Sequence, residues 1–188
     1  MNDHLKHLVE ERKLSRILIN SHEIGYNSDR FCLSFPIKDE YGQLRGCLEY
    51  RPGETPKYMY SLQKTESPAI YNAENLKTAF YGKPVIITES PMDTLSVLQQ
   101  GLISVSTLSA RLNERHLKII SRYTDKIVIF FDSDSAGQMA AQKALKRFGA
   151  DYNLYNFILK GGKDANEMLQ RGLDESLKSQ LQLFMERI

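Results

Sequence analysis

The pattern of apolar and polar residues changes near residue 82. From residue 83 onward, short apolar runs alternate with segments of helical periodicity, which is typical of βα units. The predicted strands cover residues 84–89, 103–106, 126–132 and 153–158, and the predicted helices cover residues 91–100, 113–122 and 135–148. Helical crossovers of this length predict a parallel sheet. The run KIVIFFD is the most apolar and is therefore expected to form a central strand.

The first part of the chain has a different pattern. Residues 4–20 carry leucines and isoleucines at helical spacing among many charges, which predicts one amphipathic helix. Residues 31–37 and 44–50 resemble strands, and the polar segment with Gly42 between them predicts a hairpin. Residues 51–68 hold three of the six prolines and are predicted to be an extended loop. We therefore expect an α/β protein with a mostly parallel central sheet flanked by helices, and a smaller N-terminal α+β subdomain.

Composition narrows the function classes only slightly. The 188 residues include 25 basic and 23 acidic side chains, and a net charge of +2 does not by itself indicate a nucleic-acid partner. No apolar run approaches the ~20 residues that span a bilayer, and the charged N-terminus lacks a signal-peptide core. A cytoplasmic location without a membrane partner is the expectation. Cys32 and Cys47 are too few for a disulfide framework or a zinc site.

Acidic residues follow three of the predicted strands. Glu89 ends the first strand, Asp132 and Asp134 end the third, and Asp164 lies in the loop after the fourth. Ligands of parallel sheets bind at the carboxyl ends of strands. An Asp-x-Asp strand end points both carboxylates to one side, where they repel unless a cation lies between them, and oxygen ligands suit Mg²⁺ or Mn²⁺. Taken singly, each acid could instead cap a helix, as Asp134 could for the following helix.

Four motifs occur in order along the chain: TESPMDTLSVLQQG, VSTLSARLNERHLKII, KIVIFFDSDSAGQMAAQKAL and GGKDANEML. Together they resemble a Toprim domain, most of all that of bacterial DnaG-type primases. In that family one strand ends in Glu-Gly, another ends in Asp-x-Asp-x-Ala-Gly, and a later loop contains Gly-x-Asp-Pro-Asp-Glu. The upstream segments RFCLSFPIKDEYGQLRGCLEYR and TPKYMYS resemble parts of the same primases. The resemblance covers about residues 8–172.

The resemblance implies different roles for three segments of the chain. Residues 1–82 would form a subdomain that handles nucleotide and template, residues 83–172 the Toprim catalytic domain, and residues 173–188 a C-terminal helix. The residues expected to be catalytic and to bind metal are Glu89, Asp132 and Asp134, with Asp164 as a further metal ligand. The residues expected to bind nucleotide or nucleic acid are Lys57, and more weakly Arg51 and Lys64. The supporting residues would be Ser90, Asp93, Gly137 and Lys163, although Gly137 could equally be a glycine needed for helix packing.

Two positions depart from the family pattern. Ser90 replaces the glycine that follows the glutamate, which narrows the space beside Glu89. Ala165 and Asn166 replace the Pro-Asp of the last motif, and the uncharged Asn166 would weaken a second metal site.

The resemblance favours a primase that uses Mg²⁺ or Mn²⁺ to synthesise RNA primers from NTPs on single-stranded DNA. A replicative helicase or another replication protein is a further partner that it suggests. The sequence contains no Cys/His zinc ribbon, so we expect a minimal core, either part of a larger primase or a small protein of a phage or mobile element. Two alternatives stay open: a Toprim nuclease with the same acids, and a catalytically weak nucleic-acid-binding replication or regulatory module.

Overall fold

The N-terminal part of the molecule is built on an antiparallel sheet. The structure, a computed structural model, describes residues 3–62, 68–79 and 82–188. The elements of this part are α1 (Asp3–Glu10), α2 (Arg16–Ser21), β1 (Gly25–Asn27), β2 (Cys32–Lys38), β3 (Leu44–Tyr50), β4 (Tyr58–Leu62) and a 3₁₀ helix (Ala73–Thr78). The four strands follow one another in the sheet in chain order. The predicted hairpin is confirmed by the pairing of β2 with β3 and by the positive φ of Gly42.

Two predictions for this part are wrong. The single helix predicted over residues 4–20 is divided, because Lys13 has a left-handed backbone and the Ser15 hydroxyl caps a new helix by accepting from the Leu18 amide. The predicted loop over residues 51–68 contains β4. This short segment has little periodicity of its own, and its pairing with β3 makes it a strand.

The C-terminal part is built on a parallel sheet, as predicted. Its elements are β5 (Val85–Thr88), α3 (Pro91–Leu98), β6 (Ser104–Ser106), α4 (Glu114–Ile120), β7 (Ile127–Ile129), α5 (Ser135–Phe148), β8 (Leu154–Asn156), α6 (Ala165–Gln170) and α7 (Asp174–Met185). The strand order is β6-β5-β7-β8, with every pair parallel. All residues of β7 are buried, which confirms the predicted central strand.

One hydrophobic core connects the two sheets. Phe35 of β2 and Leu48 of β3 belong to the same buried cluster as Leu95 of α3. The cluster also includes Leu177 and Leu181 of α7, both fully buried, and burial of each leucine contributes about 2 kcal/mol to folding. The change of pattern near residue 82 is therefore a change of topology within a continuous core. Among the described residues, no helix combines the length and apolar character needed to cross a bilayer.

Candidate active site

The carboxyl ends of β5 and β7 meet at one edge of the parallel sheet. Glu89 directly follows β5, and its Oε1 accepts a hydrogen bond of 3.0 Å from the backbone amide of Asp132. β7 ends at Ile129, earlier than the predicted strand end at residue 132, and Asp132 follows in the loop after the buried Phe130 and Phe131. Burial raises the pKa of Glu89, and the neighbouring carboxylates of Asp132 and Asp134 raise it further. This edge therefore concentrates negative charge where water is partly excluded.

Lys163 neutralises part of that charge. Its Nζ lies 3.1 Å from Oδ2 of Asp132 and 3.3 Å from Oδ2 of Asp134. These contacts raise the pKa of Lys163, and the bond to the Gly137 amide is the main cause of the lowered pKa of Asp134. Burial raises the pKa of Asp132 despite the lysine. Both aspartates thus direct an oxygen at one cation, as predicted, but they do so from the loop between β7 and α5 and not from the strand itself.

The acids in the strand–helix loops also cap helices. Asp134 Oδ1 accepts a hydrogen bond of 2.9 Å from the Gly137 amide at the start of α5. Asp164 Oδ1 accepts one of 2.7 Å from the Glu167 amide at the start of α6. A capping carboxylate keeps a second oxygen, and that of Asp134 faces Lys163. Capping and cation binding are therefore compatible in Asp134.

Gly137 allows α5 to approach the end of β7. A Cβ at this position would lie 2.3 Å from the backbone oxygen of Asp132, far inside contact distance. Any side chain would push the helix away from Asp132. Gly137 is therefore a packing glycine that positions a site residue.

Ser90 and Asn166, which depart from the Toprim pattern, both donate a hydrogen bond to Asp93. The Ser90 hydroxyl donates to Asp93 Oδ2 at 2.5 Å, and the backbone amide of Asn166 donates to Oδ1 at 3.1 Å. Burial, with a smaller effect of Asp164, raises the pKa of Asp93 to about 8. The serine also caps α3 by accepting from the Asp93 amide. Ser90 thus supplies a hydrogen bond that a glycine could not make.

The side chain of Asn166 links the site to the N-terminal segment. Its Nδ2 donates to the backbone oxygen of Arg12 at 2.9 Å and to Ser96 Oγ at 3.0 Å, while its Oδ1 accepts from Arg12 Nη1 at 3.2 Å. An ionised aspartate could not donate the first two bonds. The amide at this position therefore suits the local network.

The N-terminal part contributes two cations to the site. Arg12 donates to the Tyr50 hydroxyl from Nε at 3.2 Å and from Nη2 at 2.7 Å. The ammonium group of Lys57 lies 5.6 Å from the Tyr50 ring centroid and 5.8 Å from that of Tyr58. Burial and the nearby Arg12 lower the pKa of Lys57. Sequence reasoning missed Arg12 because it lies in a short charged run with no distinguishing pattern.

These groups line one cavity of about 310 Å³. Its charged lining residues are the acids Glu89, Asp93, Asp132 and Asp164 and the cations Arg12, Lys57 and Lys163. We call this cavity the catalytic cleft. Of the other predicted residues, Asp134 is not in the lining and contacts Lys163, which is. Arg51 is not in the lining either and pairs with Glu49 at 3.1 Å and Glu54 at 3.7 Å. Lys64 lies outside the described residues.

The cleft provides oxygen donors of the kind that a divalent metal requires. Within residues 3–62, 68–79 and 82–188, no group of three or more His, Cys, Asp or Glu side chains is arranged to hold a metal ion. Asp132 and Asp134 nevertheless converge on one ammonium group with oxygen donors only. Mg²⁺ is commonly held by one or two carboxylates together with water and substrate phosphates. The pair fits such a metal, and an all-protein cage is not required.

Comparisons with known proteins agree with the geometry. Residues 86–169 match the family model described as Toprim-like. A DNA primase of Pseudomonas putida is 31% identical over 159 residues, which cover 76% of this chain and 24% of the relative. The chain thus spans about a quarter of the length of the curated relatives it matches.

Solved structures extend the similarity to the whole fold. The DnaG catalytic core superposes with a TM-score of 0.79 at 21% identity, covering 96% of this chain and 72% of that one. A DnaG primase catalytic domain bound to single-stranded DNA superposes with a TM-score of 0.79 at 20% identity, covering 96% and 71%. Residues 86–169 therefore form a Toprim domain, and the chain as a whole has the fold of the DnaG-type primase catalytic core.

Proposed function

We propose that the chain is the catalytic core of a DNA primase, a nucleotidyltransferase that joins ribonucleotides on a single-stranded DNA template. The observation that carries the proposal is the catalytic cleft, which Glu89 and Asp132 of the sheet edge line together with Lys57 and Arg12. Polymerisation needs both kinds of group, because acids hold metal while cations bind nucleotide phosphates. The name of the P. putida relative and the DNA-bound structural neighbour support the same function.

Asp132 and Asp134 would hold Mg²⁺ or Mn²⁺, in the place where both now contact Lys163. A bound metal supplies stabilisation of the negative charge that develops during phosphoryl transfer. Asp164 keeps the oxygen that does not cap α6 and is a candidate for a further ligand.

Glu89 is suited to accept a proton. Its raised pKa, caused mainly by burial, brings the carboxylate closer to neutral pH, where a general base works best. Its Oε1 is held by the Asp132 amide, so the side chain has a defined orientation at the sheet edge. We assign it the proton of the attacking 3′-hydroxyl.

Lys57 is the best-placed phosphate ligand. Its ammonium group lies over two tyrosine rings and makes no ion pair with a carboxylate of the described residues. Arg12 is instead held by Tyr50 and Asn166 and would position this wall of the cleft. Residues 1–82 would accordingly handle nucleotide and template, residues 83–172 catalysis, and residues 173–188 would support the core. A replicative helicase remains a predicted partner.

The direct test is primer synthesis on single-stranded DNA with labelled NTPs and Mg²⁺ or Mn²⁺. Wild type should produce short ribo-oligomers, and Asp132→Asn should lose them by at least about 100-fold. Asp151→Asn, at an exposed turn, is the matched control and should retain synthesis. Template cleavage that depends on Asp132 would instead identify a nuclease. Intact DNA binding without either product would identify a non-catalytic module.

A further inference from the structure

A second cavity, of about 560 Å³, lies between α5 and the loop formed by residues 110–113. We call it the α5 groove. Arg111, Lys143 and Arg147 line it, and all three side chains are exposed. Met139, which is 54% exposed, gives the groove an apolar rim.

The charge of the groove is of one sign. Its charged lining residues are all cations, and no carboxylate is found in the lining formed by the described part of the chain. The neighbouring Glu114 is paired with Lys118 at 2.7 Å. This contrasts with the catalytic cleft, where acids and cations are mixed. A groove of unbalanced cations attracts a polyanion.

Two of the three cations lie along one face of α5. Met139, Lys143 and Arg147 follow each other at four-residue spacing, so they lie on one face of α5 about 6 Å apart along its axis. Arg111 lies across from them on the loop. Cations on both walls suit an extended phosphate backbone more than a single phosphate group.

Segments of the chain that line the catalytic cleft lead directly into the lining of the groove. Leu108 and Ser109 line the cleft, and the next two residues, Ala110 and Arg111, line the groove. In the same way, Asp132 lines the cleft, and Ala136 of α5, four residues later, lines the groove. A strand that leaves the catalytic cleft along this helix would enter the groove directly.

We propose that the α5 groove binds the phosphate backbone of single-stranded nucleic acid as it passes the catalytic cleft. The inference rests on the proposed primase function and adds to it the path of the strand. Recognition is through phosphates, so affinity depends on salt and little on base sequence.

The test is binding of a fluorescent oligothymidine by anisotropy, in EDTA, between about 50 and 200 mM salt. The groove variant combines Arg111→Gln, Lys143→Gln and Arg147→Gln. The control variant combines Lys146→Gln, Lys160→Gln and Lys178→Gln, which remove the same charge from exposed or half-buried positions outside the groove. Thermal unfolding of both variants checks that each is folded.

Three phosphate contacts of about 0.7 ions each predict a salt slope smaller by about 2 in the groove variant. Its affinity at low salt should fall by about tenfold or more, while the control variant stays close to wild type. Equal losses in the two variants, or no loss in either, would overturn the proposal.

Primer synthesis separates this inference from the proposed function. If wild type synthesises primers but the groove variant binds oligothymidine normally, the groove proposal fails and the function stands. If binding depends on the groove but wild type gives no product, the primase proposal fails instead.

Discussion

The charged groups on the two walls of the catalytic cleft have different kinds of partner. On the sheet edge, Asp132 and Asp134 share the ammonium group of Lys163. On the N-terminal wall, Lys57 and Arg12 lie against tyrosine rings and hydroxyls. The first wall has an internal cation that a metal could replace, and the second holds its cations without carboxylates. From this difference we expect a metal to replace Lys163 between the two aspartates, and substrate phosphates to bind the cations of the N-terminal wall.

Replacing Lys57 should have the largest effect on this comparison. We expect Lys57→Gln to reduce primer synthesis by roughly 100-fold, because the cleft loses the cation that is available to bind a nucleotide phosphate. Stability to urea should change little, since the lysine forms no ion pair among the described residues. Lys77→Gln, at an exposed site outside the cleft, is the control. Unchanged synthesis would show that the N-terminal wall does not bind the nucleotide.

Arg12 should stabilise the folded protein. Arg12→Gln removes charged hydrogen bonds to Tyr50 and the contact with Asn166, at a cost of about 2 kcal/mol in the free energy of unfolding. Urea denaturation measures the difference, with the exposed Arg16→Gln as control. A change of less than about 0.5 kcal/mol would show that the two walls are not coupled through this arginine.

Asp93 should make stability depend on pH, as a buried structural carboxyl does. Its folded pKa, about 8, is above the unfolded value, so its contribution to stability is complete at low pH and declines as pH rises towards 8. Asp93→Asn should abolish this decline, which is on the order of 1 kcal/mol per pH unit. Tm measured from pH 5 to pH 9, at roughly unit steps, follows it.

The same variant tests the role of Asp93 in catalysis. The Ser90 and Asn166 bonds to Asp93 place its carboxyl in a buried network. Primer synthesis by Asp93→Asn should therefore stay within about fivefold of wild type. Loss comparable to that of Asp132→Asn would assign Asp93 to the metal site instead.

Lys163 should give the smallest effect. Lys163→Gln removes the internal cation that competes for Asp132 and Asp134, so the variant should bind Mn²⁺ about fivefold more tightly, the equivalent of ~1 kcal/mol for an exposed ion pair. Titration followed by electron paramagnetic resonance measures free Mn²⁺ directly. Lys160→Gln, also exposed, should bind like wild type. Weaker binding would show that the lysine supports the metal rather than replacing it.

Local pattern was sufficient for the parallel half of the molecule. The bounds of α5 were predicted exactly as observed, because helical periodicity, the Asp134 cap and Gly149 agree over fourteen residues. The N-terminal half was harder. Lys13 interrupts an otherwise continuous helical pattern, and β4 forms only because β3 pairs with it. Such elements depend on contacts between segments that are distant in sequence or on a single unusual backbone angle.

By itself, the sequence determined the order of strands and helices in the parallel-sheet part and the location of Glu89, Asp132 and Asp134 in the connections after β5 and β7, since period-two and helical patterns are local properties. Only the tertiary structure decided which groups join them. Arg12 lines the cleft and contacts Asn166, although the two residues are 154 positions apart in the sequence. Lys163, in the loop after β8, contacts the two aspartates that follow β7. Contacts between such distant positions are set by how the two sheets share one core, and no local pattern encodes them.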